Sequence, residues 1–316
     1  MYNVRITASD VSNLNNEPLE LLKKNGFDVK EKPFKNIKNE EEYIEFIKDA
    51  DALLVGTETL DKKVLEKIPN LKFIARRGVG YDSIDVDYCH INNITIARTL
   101  GTVESSVSEL TMAFILALTR KLEEHSRDIH NGIWNKRLSS GLKGTTLGLV
   151  GFGNIGQEVA RKASVFDMNL VYYCPHRKIE LEERYNIRYV TLDELLKISD
   201  FVSLHMPSTE ETKNMFTYDK FKKMKKTAMF INTARGSIVN EEDLALALKN
   251  RIISGAALDV FQEEPCLDSP VLKLDNVILS PHAGTFTYDT FYSMNLLAAN
   301  LIVDYFNGVI DNKFII

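Results

Sequence analysis

Short apolar runs alternate with stretches of helical periodicity through the first hundred residues of the chain. Residues 4–8, 27–30, 52–55, 71–75 and 94–97 read as strands, the last three as buried ones. Between them, 18–25 (closed by Gly26), 40–50, 62–68 and 84–91 carry the spacing of helices. This alternation predicts a parallel sheet covered by helices. From 103 to 130 the pattern stays helical, with Val107, Leu110, Phe114, Ala117 and Leu118 near one face, and predicts a single long helix. A second alternation runs from 146 to 283, with strand candidates at 146–150, 170–173, 201–204, 228–232, 255–259 and 277–280. Thr191, with Glu194 three residues on, is a capping-box signature that opens a helix over 192–198. A last helical stretch, 288–307, follows the second set and is expected to return to the first layer.

At 316 residues the chain exceeds the roughly 100–200 residues of one compact core, so two domains are expected. The fold class expected is α/β, with two doubly wound parallel-sheet domains. With 39 basic against 44 acidic residues and a net charge of −5, nothing points to a nucleic-acid partner. The basic run 220–226 reads as the wet face of a short amphipathic helix. The longest apolar stretch, 112–118, is far short of the roughly 20 residues that span a bilayer, and no export-signal pattern follows Met1. Cys89, Cys174 and Cys266 are odd in number, far apart and without a CxxC pair, which fits neither a disulfide framework nor a zinc site. A cytoplasmic protein with no metal and no membrane contact is expected.

Gly151-Phe152-Gly153-Asn154-Ile155-Gly156 stands between the strand at 146–150 and a helical run, 157–166. In that position a GxGxxG allows a tight turn, close backbone approach to a pyrophosphate, and a helix N-terminus aimed at the anion. A glycine-rich turn serving packing alone would not account for three glycines at this spacing. The acidic residue that reads the ribose hydroxyls of NAD belongs about 20 positions further on. There the chain has Cys174-Pro175-His176-Arg177-Lys178. A missing carboxylate followed by two cations tilts the cofactor towards NADP, with NAD left open should Arg177 and Lys178 be ordinary solvated residues.

Three strand candidates of the second set end in polar residues, where the ligand crevice of an open parallel sheet lies. Arg235, in Asn232-Thr233-Ala234-Arg235-Gly236, can clamp a carboxylate through two parallel hydrogen bonds. Glu264 follows Asp259-Val260-Phe261-Gln262-Glu263, and His282 stands in Ser280-Pro281-His282-Ala283-Gly284. A histidine held by a carboxylate is the usual device for proton exchange with a hydroxyl near neutral pH.

Over nearly its whole length the sequence resembles the D-isomer-specific 2-hydroxyacid dehydrogenases, and within them the phosphoglycerate dehydrogenase-like branch. The likeness rests on the NxARG, DVFxxEP and SPHxG motifs just quoted. It extends to Arg77-Gly78-Val79-Gly80-Tyr81-Asp82, to Val202-Ser203-Leu204-His205-Met206-Pro207 and to Trp134. The resemblance implies a flavodoxin-like substrate domain, 1–98 with 286–316, and a Rossmann cofactor domain, 99–285. It implies that Arg235 binds the substrate carboxylate and polarises the C2 oxygen, that His282 exchanges the hydroxyl proton, and that Glu264 holds the imidazole. Val79 and Gly80 would receive the substrate carboxylate through their backbone amides. Gly151, Gly153, Asn154, Ile155 and Gly156, with Cys174, His176, Arg177, His205, Pro207, Thr233, Ala234, Asp259 and Gly284, would meet the cofactor, although Asp259 also reads as a structural turn residue. A homodimer built on the long helical region, with Trp134 near the partner, is implied too.

The sequence departs from the family pattern in two places. The family's NTPGAN is Arg98-Thr99-Leu100-Gly101-Thr102-Val103 here, which removes the Asn and Pro from a segment that shapes the substrate site. Gly56-Thr57-Glu58-Thr59 places a glutamate where phosphoglycerate dehydrogenases have an arginine for the substrate phosphate, with Arg76, Arg77 and Arg98 as candidate substitutes. The expected activity is hydride transfer between NAD(P)H and C2 of a small D-2-hydroxy or 2-oxo acid, of the glyoxylate or hydroxypyruvate reductase type. 3-Phosphoglycerate oxidation, a dinucleotide-sensing scaffold or corepressor, and phosphite oxidation are its rivals. The chain ends at Ile316, so no appended regulatory domain is expected.

Overall fold

The computed structural model describes all 316 residues. They divide into two compact units, Met1–Val103 with Phe286–Ile316, and Glu104–Thr285.

In the first unit, β1 (Asn3–Ile6), β2 (Asp28–Glu31), β3 (Ala52–Val55), β4 (Phe73–Arg76) and β5 (Thr95–Arg98) form a parallel sheet in the order β2-β1-β3-β4-β5. That is the flavodoxin-like order. Side chains alternate between the two faces with the strand period of two. Ala52, Leu54, Phe73 and Ala75 pack with Leu22, Ala298, Leu301 and Ile302 on one face, whereas Leu53, Val55 and Ile74 pack with Tyr43, Ile47 and Leu65 on the other. The C-terminal helix Tyr288–Phe306 thus completes the core of the N-terminal sheet.

The second unit holds β6 (Thr146–Val150), β7 (Asn169–Tyr173), β8 (Ile187–Tyr189), β9 (Phe201–Leu204), β10 (Met229–Asn232), β11 (Gly255–Leu258) and β12 (Val277–Leu279), all parallel, in the order β12-β11-β10-β9-β6-β7-β8. This is the dinucleotide-binding order extended by one strand, and it reverses direction at β6. Helix Asn154–Ser164 covers one face beside Met112, Phe114 and Ile115 of helix Glu104–Arg120. Thr191 caps helix Leu192–Ile198 by accepting the Glu194 amide at 3.2 Å. Helix Tyr218–Phe221 begins the basic run, and Lys220, Lys222, Lys223 and Lys225 form ion pairs with Asp193, Asp219, Asp193 and Asp200. No helix is long and apolar enough to cross a membrane.

Among the differences from the sequence pattern are a helix break and an edge strand. The expected helix over 103–130 is two helices, Glu104–Arg120 and Leu122–His130, because Lys121 adopts the left-handed conformation (φ 51°). No glycine or proline marks the break; one left-handed residue ends one helix and redirects the next. The edge strand β8 went unpredicted. It has three residues with Arg188 exposed, and it is a strand because β7 offers it backbone partners.

A left-handed lysine costs roughly 1–2 kcal/mol, which glycine avoids. Lys121→Gly should therefore unfold in denaturant at or above the wild-type midpoint. Lys121→Val should lose about 1–2 kcal/mol, since β-branching makes that conformation worse.

Candidate active site

The glycine turn lies between β6 and helix Asn154–Ser164, where the strand order reverses. Gly151 has φ 98°, and a Cβ on it would overlap the His205 carbonyl. A Cβ on Gly156 would come within 2.6 Å of the Gly151 carbonyl oxygen, so the helix could not sit this close to the turn. Gly153 caps the helix and faces open space. Asn154, exposed, donates to Glu104 at 3.4 Å, and Ile155 packs on the core beneath. A helix N-terminus bare of side chains at a topological switch point fits the pyrophosphate of a dinucleotide.

Beyond β7, Cys174 is buried, its thiol donates to the His176 carbonyl at 2.7 Å, and burial pushes its pKa up. His176 and Arg177 are exposed. Arg177 grips Glu182, on the following helix, with Nε at 2.7 Å and Nη2 at 2.8 Å, a pairing that nothing in the sequence pattern marks. Beyond β9, His205 pairs through Nε2 with the Ser203 hydroxyl at 2.9 Å, and burial drives its pKa down to about 3. Pro207 follows, exposed.

The loops after β10, β11 and β12 are tied to one another. Asn232, at the end of β10, accepts the Ala234 amide at 3.0 Å and donates to the Arg235 carbonyl at 2.9 Å, which folds the chain back on itself. Thr233 shares a hydroxyl contact of 3.1 Å with Thr111, and Arg235 is half-buried. Gly236 has no room for a side chain, since a Cβ would overlap the Phe261 carbonyl. Asp259 is buried, and its carboxylate accepts the Ser280 hydroxyl and the amides of Ala283 at 2.7 Å and Gly284 at 2.9 Å. Its backbone carbonyl accepts the His282 amide at 2.7 Å, and His282 is held at φ 52°.

Glu264 takes the Phe261 amide at 3.0 Å on one oxygen and meets His282 Nδ1 at 2.7 Å on the other. Partial burial works to raise the Glu264 carboxyl. The hydrogen bond and charge of His282, the Phe261 amide and the charge of Arg235 outweigh it, and the net shift is downward. A carboxylate on Nδ1 leaves Nε2 as the nitrogen that can exchange a proton. Arg235, Glu264 and His282 thus gather at the carboxyl edge of neighbouring strands, Arg235 close enough for its charge to act on Glu264.

In the first unit, Val79 and Gly80 follow β4, half-buried. Glu58 follows the adjacent β3; it is 5% exposed and neither carboxylate oxygen has a hydrogen-bond partner. No group of three or more His, Cys, Asp or Glu side chains is placed to hold a metal.

Residues 112–284 match the family model described as D-isomer specific 2-hydroxyacid dehydrogenase, NAD binding domain. The chain belongs to the D-isomer-specific 2-hydroxyacid dehydrogenases. Glyoxylate reductase of Thermococcus litoralis is 42% identical over 270 residues, 82% of each chain. Glyoxylate/hydroxypyruvate reductase B of Klebsiella pneumoniae is 37% identical, over 88% of this chain and 89% of its own. An acyclic imino acid reductase solved with NADPH and D-Arg superposes with a TM-score of 0.87 at 28% identity, covering 99% of each chain. The family member described here is accordingly an NAD(P)-dependent oxidoreductase acting on the CH–OH group of a 2-hydroxy acid.

Gly236→Ala should lower the unfolding free energy by at least about 3 kcal/mol, because its methyl group meets backbone rather than a side chain that can rotate away. The His205 imidazole should stay neutral, so its ring proton shifts in an NMR titration should be flat from about pH 5 to 8.

Proposed function

We propose that this dehydrogenase works mainly as a reductase of small unphosphorylated 2-oxoacids, glyoxylate and hydroxypyruvate foremost. The contact that carries the catalytic reading is His282 Nδ1 on Glu264 at 2.7 Å, with Arg235 beside it. Arg235 binds the substrate carboxylate through its guanidinium and polarises the C2 oxygen. His282 delivers a proton from Nε2 to that oxygen in reduction and takes it back in oxidation. Glu264 holds the ring in the orientation that presents Nε2 and stabilises its charged form. Val79 and Gly80 offer backbone amides to the carboxylate. A bound nicotinamide supplies the hydride.

Gly151, Gly153, Asn154, Ile155 and Gly156 hold the cofactor pyrophosphate, and Cys174, His176 and Arg177 border its adenosine end. His205, Pro207, Thr233, Ala234 and Gly284 serve the rest of the cofactor, with Asp259 bracing the loop that carries Gly284. NADP is preferred slightly over NAD, because the end of β7 carries a cation and no acid of its own.

The curated relatives named for glyoxylate support the substrate reading. Glu58 favours it over 3-phosphoglycerate, since this residue stands where phosphoglycerate dehydrogenases have an arginine for the substrate phosphate. A cytoplasmic homodimer completes the proposal. Leu122, Ile129, Ile133, Trp134 and Leu138 are exposed apolar side chains along one stretch of chain, which is the character of a surface that a second copy covers.

Initial rates with glyoxylate, hydroxypyruvate, pyruvate, 3-phosphohydroxypyruvate and phosphite, each with the appropriate form of NADP and NAD, test the proposal. Unphosphorylated oxoacids should turn over fastest. Activity confined to 3-phosphohydroxypyruvate would make the enzyme a phosphoglycerate dehydrogenase, and no turnover at all would favour a dinucleotide sensor. His282→Ala should lower kcat by about 10²–10⁴ while cofactor binding, measured by calorimetry, stays within twofold of wild type. Glu264→Gln should cost about tenfold or more in kcat with a smaller change in KM, because the ring is less well held rather than lost.

A further inference from the structure

The Arg177 site holds more than the cation that the sequence shows. Glu182 lies on helix Ile179–Tyr185, and its Oε1 accepts both Arg177 Nε at 2.7 Å and the Tyr172 hydroxyl at 2.9 Å. Tyr172 is fully buried in β7, and its hydroxyl oxygen accepts the Lys178 amide at 2.9 Å. The carboxylate is therefore pinned from below by a core residue. Arg177 sits over it with a two-bond grip and places its guanidinium 5.6 Å from the Tyr189 ring centre. The Arg177 hydrogen bond, opposed by burial and aided by the Tyr172 hydroxyl, draws the Glu182 carboxyl down to about 2, so it is ionised at any working pH.

A guanidinium has two edges that can each take an oxyanion. Glu182 occupies the Nε–Nη2 edge, and the Nη1–Nη2 edge remains for a second anion. Any anion arriving there meets a cation whose charge is already matched and a fixed carboxylate nearby.

We propose that Glu182 is a specificity-determining residue that weakens the enzyme's discrimination for the 2′-phosphate of NADP. It rests on the reading of Arg177 as the partner of that phosphate. Glu182 takes the part of the missing acid at position 174 at one remove, acting through the arginine rather than on the ribose. The enzyme accepts both cofactors because cation and carboxylate come as a pair.

Titration calorimetry with 2′,5′-ADP and 5′-AMP, which report only the adenosine end, tests this without turnover. Glu182→Gln keeps a hydrogen-bond acceptor for Tyr172 and removes the charge. It should bind 2′,5′-ADP about fivefold tighter than wild type, the scale of a partly solvated ion pair, with 5′-AMP within twofold. Glu182→Ala should move the same way, and unchanged 5′-AMP binding shows that either variant is folded. Unchanged or weaker 2′,5′-ADP binding in both variants would overturn the proposal. Arg177→Ala should weaken 2′,5′-ADP several-fold, and by more than it weakens 5′-AMP. If it alters neither, the reading of Arg177 fails instead, whatever Glu182 does.

Discussion

Parallel strands cannot be joined by a tight turn; each needs a crossover, and every crossover returns the chain to the same starting edge. All strands of both sheets here are parallel, so each sheet sends every strand end to one edge. The candidate site groups leave the second sheet there: the glycine turn after β6, Arg177 after β7, His205 after β9, Arg235 after β10, Glu264 after β11 and His282 after β12. They are brought together by backbone hydrogen bonding among strand interiors that contain almost no chemistry.

Within that edge, precision comes from short tethers. Asp259 gathers three donors from the loop after β12 and, through its carbonyl, the His282 amide itself. The histidine is held by its backbone before its side chain makes any contact. The Glu264 carboxylate is held by the Phe261 amide, and Gly236 lets the loop after β10 press against the Phe261 carbonyl. Two loops that each fix the other hold the His282–Glu264 pair more tightly than a longer loop packed alone.

The charges beyond β7 show how little of an electrostatic environment a local stretch of sequence reveals. The segment after β7 reads as basic because Arg177 and Lys178 are adjacent and no acid precedes them. The neutralising carboxylate is five residues on, turned back by a helix and held by a buried tyrosine of the preceding strand. Sequence distance says little about charge distance once a helix intervenes.

The sequence by itself determined the α/β class, both runs of strands and the position of the glycine turn. Hydrophobic period, strand length and glycine spacing are local properties that survive without the fold. It did not show β8, whose three residues are a strand only because β7 pairs with them, nor the break at Lys121, where no glycine or proline stands. Glu263 and Glu264 are neighbours of one chemistry, and only a family motif separates them in the chain. Geometry separates them in the structure, where Glu264 faces His282 at 2.7 Å. The β7–β8 pairing and the Glu264–His282 contact belonged to the tertiary structure, because each depends on which groups meet across loops and helices, and that is decided by sheet order and loop packing rather than by any local preference.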